Sequence, residues 1–108
     1  MSYVAPHQDP FRAVADPGRR QMLDAMLERE WSVKELTALL GLSQPSVSQH
    51  LQVLKLAGLV DERSQGRNSY YRTRPSELRV VTDWLAKYEV FWGEKLDALE
   101  AHLANRKN

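Results

Sequence analysis

Gln44, Ser46, Ser48, Gln49 and Gln52 form a run of amides and hydroxyls, with Pro45 among them and no carboxylate or ammonium between them. Such groups both donate and accept hydrogen bonds, so a row of them can match the base edges of a major groove, where Gln bonds adenine bidentately. An ordinary solvated helix face carries Glu and Lys instead. The bland alternative is a small polar surface helix with no partner. Further on stand Arg63, Arg67, Arg72 and Arg74, with no acid from Arg63 to Arg74 and none from Leu36 to Val60. Guanidinium groups placed this way can hold phosphates or enter a minor groove, releasing counterions as they do. A chance run on a solvated hairpin is the competing explanation. Net charge is only +1 over 108 residues, so the signal lies in where the charges fall.

Enzyme chemistry finds no footing. His7, His50 and His102 are dispersed, and no Gly-rich phosphate loop, no nucleophile beside a base and no paired carboxylates occur. The absence of cysteine excludes disulfides, thiolate metal sites and thiol redox chemistry, and no cofactor is expected. His50 flanks an apolar stripe, where a half-buried, hydrogen-bonded imidazole is the expected state and a phosphate contact the alternative.

The polar run must be held outward by a helix. Leu42 to Leu59 reads LSQPSVSQHLQVLKLAGL. Ser43 is a preferred N-cap, Pro45 fits the first turn, Val47, Leu51 and Leu54 recur at helical spacing, and Gly58 suits a left-handed exit. Upstream, Ser32 to Leu40 forms a second short helix. Ser32 with Glu35 makes a capping box, and Trp31 with Leu36 occupies the two positions of a hydrophobic staple. Gly41-Leu42-Ser43 joins the two, giving the sequence form of a helix-turn-helix.

Before these, Asp9 to Val14 reads as a short helix with Phe11 and Val14 as apolar contacts. Asp16-Pro17 opens another through about Glu28, with Met22, Leu23, Met26 and Leu27 inward. Arg19 and Arg20 in its first turn can reach a phosphate or, more ordinarily, Asp16, Asp24 and Glu28, pairs worth ~0–1 kcal/mol. After Gly58, Leu59 to Ser64 and Ser69 to Thr73 read as strands around Gln65-Gly66-Arg67-Asn68, where Gly66 and Asn68 tolerate positive φ. Tyr70 and Tyr71 then point to opposite faces. A hairpin placed after a helix-turn-helix is a wing, with Arg67 at its tip.

From Ser76 to about Ala104 one long helix is expected. Val81, Leu85, Tyr88, Trp92, Leu96, Leu99 and Leu103 recur every three or four residues, widened by Trp84 and Phe91. This is more apolar surface than a small core can cover, so a homodimer built on this helix is expected, with Phe11 beside it. Completion of the monomer core, or folding of the helix back on the hairpin, is the alternative. The fold expected is therefore mainly α with a small β-hairpin, a winged helix-turn-helix, as one domain over residues 1–108. No apolar stretch approaches the roughly 20 residues of a membrane span, and MSYVAPHQDPFRAV lacks a basic region followed by an apolar run, so a soluble cytoplasmic protein is expected.

The chain resembles the ArsR/SmtB family of bacterial winged-helix repressors over nearly its whole length. The likeness is carried by Phe11 to Pro17 with Arg19-Arg20, by Glu35-Leu36 through Leu39, by Leu42 to Leu51, by Leu54 through Ala57-Gly58-Leu59-Val60, and by Gly66-Arg67 and Tyr70-Tyr71-Arg72. The resemblance implies a symmetric dimer on double-stranded DNA, one recognition helix per half-site, and repression by blocking a promoter. Metal-sensing members carry a Cys-x-Cys type pair where this chain has Ser32 and Lys34, and Asp83, Glu89 and a lone His102 lack the family's other ligand spacing. No metal site is expected, and no effector is implied. A winged helix used for protein contact remains open, as does a small-molecule pocket lined by Trp84, Tyr88 and Trp92.

Overall fold

The computed structural model describes Ala5 and residues 8–106, excepting the side chains of residues 105 and 106. It divides into two units, one running to Leu78 and one from Arg79 onward.

In the first unit each helix starts where its capping chemistry stands. Helix α1 (Pro10–Val14) opens on Asp9, whose carboxylate accepts from the Phe11 N–H at 2.9 Å. Helix α2 (Pro17–Glu28) opens on Asp16, which accepts from the Arg19 N–H at 3.0 Å. That bond is the main reason the Asp16 carboxyl sits below its ordinary range. Helix α3 (Val33–Leu40) has the expected capping box: the Glu35 N–H donates to Ser32 Oγ at 3.2 Å and the Ser32 N–H donates to Glu35 Oε1 at 2.9 Å. The second bond is the first cause of the lowered Glu35 carboxyl. Helix α4 (Gln44–Leu56) begins at Ser43 and ends in a Schellman arrangement, the Gly58 N–H reaching Lys55 O and the Leu59 N–H reaching Leu54 O, with Gly58 at φ 78°. Gly41 leaves α3 at φ 67°.

The sheet has three strands, one more than the sequence shows: β1 (Trp31–Ser32), β2 (Val60–Gln65) and β3 (Asn68–Thr73), in the order β1-β3-β2. All pairings are antiparallel, with Trp31 opposite Tyr71, Ser32 opposite Tyr70 and Gln65 opposite Asn68. Two residues cannot display an alternating pattern, so β1 is legible only once β3 lies beside it. At the hairpin tip Gly66 alone takes positive φ, and Asn68, expected to tolerate it, is an ordinary strand residue. Positive φ at the first central position only is the pattern of a II′ turn.

Ala13, Met22, Leu23, Met26, Leu36, Val47, Leu51, Leu54, Leu59 and Val60 form the core, with Trp31 and Tyr71 packed against it. Leu27, expected inward, is 49% exposed, because at about 100° per residue it lies about 90° from the centre of the arc that Met22, Leu23 and Met26 bury. Thr73 is buried and donates to Leu23 O at 2.8 Å, tying the sheet to α2. Arg19 and Arg20 do not pair with Asp24 or Glu28. They donate to the carbonyls that end α1, Arg19 to Ala13 O at 2.7 Å and Arg12 O at 3.1 Å, Arg20 to Val14 O at 2.7 Å and Ala15 O at 3.1 Å. The last carbonyls of a helix are short of intrahelical donors, only Arg12 O here also taking the Ala15 N–H at 3.2 Å, so cations are well placed there.

The second unit is helix α5 (Arg79–Arg106). It starts three residues after the expected Ser76, because Pro75–Leu78 forms a 3-10 turn. Tyr88, Trp92, Leu96, Leu99 and Leu103 are exposed, as are Trp84 and Phe91, while Val81 and Leu85 are half-buried. Val81, Trp92 and Leu103 recur at intervals of about 11 residues, as do Leu85 with Leu96 and Tyr88 with Leu99, so the stripe runs almost straight along the axis with a slight right-handed drift. The stripe spans about 140° of the surface. Trp84 and Tyr88 meet along it with ring centroids 5.3 Å apart. Among the described residues no helix is long and apolar enough to cross a membrane.

Replacing Ser32 by Ala removes one half of the capping box and is expected to lower unfolding free energy by about 0.5–2 kcal/mol, read as a lower urea midpoint with unchanged slope. The carboxyls of Asp16 and Glu35 are lowered in the folded chain. Their contribution to stability is therefore complete above the ordinary values of 3.8 and 4.5 and is lost as the pH falls below them. Melting followed from pH 7 to pH 3 checks this, and Ser32→Ala, which leaves the main Glu35 acceptor bond intact but removes the lesser pull of the Ser32 side chain, should keep most of the acid limb.

Candidate nucleic-acid interface

Rotation of α4 is fixed from beneath. Val47, Leu51 and Leu54 are 0%, 2% and 0% exposed, and burying side chains of this size is worth about 1.5–3 kcal/mol each, so turning the helix to expose them is strongly opposed. The opposite ridge is then held outward. Gln44, Ser48, Gln49 and Gln52 are exposed. Ser46 is half-buried, and its Oγ accepts from Ser43 Oγ at 2.9 Å, so it is the least available of the five.

Two grooves flank the ridge. One, of about 370 Å³, is lined by Arg19, Ser46, Gln49, His50 and Val53. The other, of about 710 Å³, lies among the start of α3, Gln44 and the wing residues Arg67 to Tyr71. In the first, Arg19 Nη1 stands 3.2 Å from His50 Nδ1. Arginine can only donate, so Nδ1 accepts and the half-buried imidazole carries its proton on Nε2. His50 is thus hydrogen-bonded as expected, while His7 lies outside the described residues.

The three arginines expected to face nucleic acid separate into two kinds. Arg67 at the hairpin tip and Arg72 on β3 are exposed and make no ion pair among the described residues. Arg63 is committed elsewhere: its Nε and Nη2 donate to Glu30 at 3.0 and 2.8 Å, its Nη1 donates to Gln65 at 2.7 Å, and its guanidinium lies 5.0 Å from the Tyr70 ring. This pairing holds the Glu30 carboxyl below its usual range. A bond between residues 33 apart in sequence leaves no local trace, and only the fold reveals it.

The same pattern recurs around the wing. Glu35 pairs with Arg29 at 3.2 Å, Asp61 with Arg74 at 3.5 Å, and Glu62 with Lys55. Glu62 also accepts from the Tyr71 hydroxyl at 2.9 Å, and partial burial with this bond raises that phenol to about 12. Each acid of the sheet and helix-turn-helix is thereby matched by a cation. Lys34 and Arg67 make no ion pair among the described residues, while Arg72 adds a weaker attraction to Glu30 beside that of Arg63. Lys34 stands on α3, outside the acid-free arginine run that marks the hairpin.

Comparison with known proteins adds a common lineage. A family profile described as "Bacterial regulatory protein, arsR family" matches residues 16–62. The HTH-type transcriptional regulator KmtR of Mycobacterium tuberculosis is 44% identical over 71 residues, 66% of this chain and 55% of the relative's own length. The HTH-type transcriptional regulator Rv2034 of the same organism is 36% identical over 86 residues, covering 80% of this chain and 78% of the relative. A solved structure described as a possible transcriptional regulator for arsenical resistance superposes with TM-score 0.67 and 36% identity, covering 91% of this chain and 96% of the other.

Glu30→Gln frees the Arg63 guanidinium beside Arg72. It is expected to raise affinity for duplexes of any sequence and to steepen the dependence of log K on log salt by up to about one unit. Binding isotherms on a random-sequence duplex at several salt concentrations check this.

Proposed function

The chain belongs to the arsR family of bacterial regulatory proteins, as a DNA-binding transcriptional regulator with a winged helix-turn-helix fold, and from that premise we propose that it is a homodimeric repressor of an inverted-repeat operator. The observation that carries the reading is the α4 ridge: an acid-free row of amides and hydroxyls, exposed along its length and held by an apolar underside. Gln44, Ser48, Gln49 and Gln52 reach base edges in the major groove, with Ser46 contributing from the margin. Arg67 enters or brackets the minor groove and Arg72 holds the backbone, while Arg63 orders the wing through Glu30 and acts on DNA only indirectly.

A second copy of the chain covers the apolar stripe of α5, with Val81, Leu85, Tyr88, Trp92, Leu96, Leu99 and Leu103 at the interface and Phe11 at its edge. Two recognition helices then address half-sites ~34–36 Å apart, or a multiple of that spacing. Occupying such a site denies the promoter to polymerase, and no enzymatic step, metal or cofactor is needed. The place of work is the cytoplasm, where bacterial DNA lies.

Gln49→Ala is expected to cost about 1–3 kcal/mol on the selected operator and to relax preference at one base pair, with little change on random DNA. Arg67→Ala should weaken binding to all sequences alike and reduce the salt slope by about one unit. Titration of both variants against cognate and random duplexes separates the roles. Identical behaviour of the two would overturn the division into base-reading and backbone-holding residues.

A further inference from the structure

We propose that the groove between the start of α3, the start of α4 and the wing tip seats the DNA backbone, and that Lys34 is a phosphate-contacting residue acting with Arg67 across it. The proposal rests on α4 being the base-reading helix. It adds a site on α3, an element to which the reading above gives no contact with DNA.

The groove, of about 710 Å³, is lined by Lys34, Gln44, Arg67, Asn68 and Ser69 together with the α3 cap and the two wing tyrosines, and no carboxylate takes part. Lys34 is exposed and pairs with no acid among the described residues, as is also true of Arg67. The nearest acid along α3, Glu35, is held by the Ser32 N–H and by Arg29. Two uncompensated cations therefore border a trough whose remaining polar walls are amides and hydroxyls, all able to donate to an anion. The backbone reinforces the sign. The caps Ser32 and Ser43 each take one first-turn N–H, of Glu35 and of Ser46, and the positive ends of both helices open beside the same space.

A phosphodiester strand is the anion that the position selects. Gln44, which opens the reading ridge, forms one wall, and Arg67, which reaches the flanking groove, forms another. A protein that touches a major groove with one element and the neighbouring minor groove with the next must cross the phosphate strand that separates them, and this trough is the space between those two elements. Its volume suits a run of backbone better than one small oxyanion. Phosphate chemistry is nonetheless shared with free anions, so the test must tell the two sources apart.

The test compares wild type, Lys34→Gln, Lys34→Arg and Arg79→Gln, the last altering an exposed arginine at the start of α5 opposite the apolar stripe, on cognate and random duplexes between 50 and 200 mM chloride. Loss of one phosphate contact should reduce the slope of log K against log salt by about 0.9 for Lys34→Gln and weaken both duplexes by the same factor. Lys34→Arg should retain the slope, Arg79→Gln should match wild type, and the double variant Lys34→Gln with Arg67→Ala should lose about 1.8. Unchanged melting temperature shows that the variants fold. A wild-type slope in Lys34→Gln overturns the proposal. So does saturable calorimetric binding of inorganic phosphate to the DNA-free protein that vanishes in Lys34→Gln while the DNA slope stays at the wild-type value, since the groove then serves a free anion. Failure of wild type to prefer any duplex would count against the base-reading role of α4 instead.

Discussion

The burial of Val47, Leu51 and Leu54 beneath α4 is the contact on which the rest depends. A helix whose outer ridge bears amides and hydroxyls has little charge pattern there to fix its rotation, so its orientation comes mainly from its apolar side, with the Arg19–His50 and Lys55–Glu62 contacts at its edges. Leu36 from α3, Met22 and Met26 from α2, and Leu59 from the helix exit supply the surface it rests on. The glycines at either end matter for the same reason. With positive φ at Gly41 and Gly58, α3, α4 and β2 turn sharply enough to keep their apolar sides in one core.

Electrostatics then refine what packing has placed. The acids of the first unit do not repel a polyanion uniformly, because Glu30, Glu35, Asp61 and Glu62 are each drawn to a cation. Exposed pairs of this kind contribute little to stability, typically 0–1 kcal/mol. Their consequence here is positional. They neutralise the periphery, while Lys34 and Arg67 on one side of the ridge and Arg19 on the other have no acid paired to them. Arg63 shows the distinction most clearly: it stands in the same acid-free run as Arg67 and Arg72, yet Glu30 turns it into a brace for the wing.

What could be read from the sequence follows from how local each determinant is. The helix starts at Asp16, Ser32 and Ser43 and the exits at Gly41 and Gly58 depend on residues within one turn of each other, and they are legible without a structure. The buried arc of α4 is equally plain from its spacing. Strand β1, the Arg63–Glu30 pair and the Arg19–His50 contact join residues about thirty or more apart, and no local signal announces them. Leu27 lies at the margin of the apolar arc of α2, and its residue type does not show that the packing stops short of it. Lys34 shares a groove with the wing only because β3 folds beside α3, and no local pattern shows that either. The apolar stripe of α5 is legible as a pattern, with its recurrence at about 11 residues describing a nearly straight seam.

The central claim is that the α4 ridge enters a major groove and does so twice on one duplex. Protection of guanine N7, which lies in the major groove, measures this directly on a duplex selected for tight binding. The account predicts two protected patches separated by about one helical turn or a multiple of it, both lost when Gln49 and Gln52 are replaced by Glu. Protection confined to a single patch, or tight binding that leaves every N7 accessible, would contradict it.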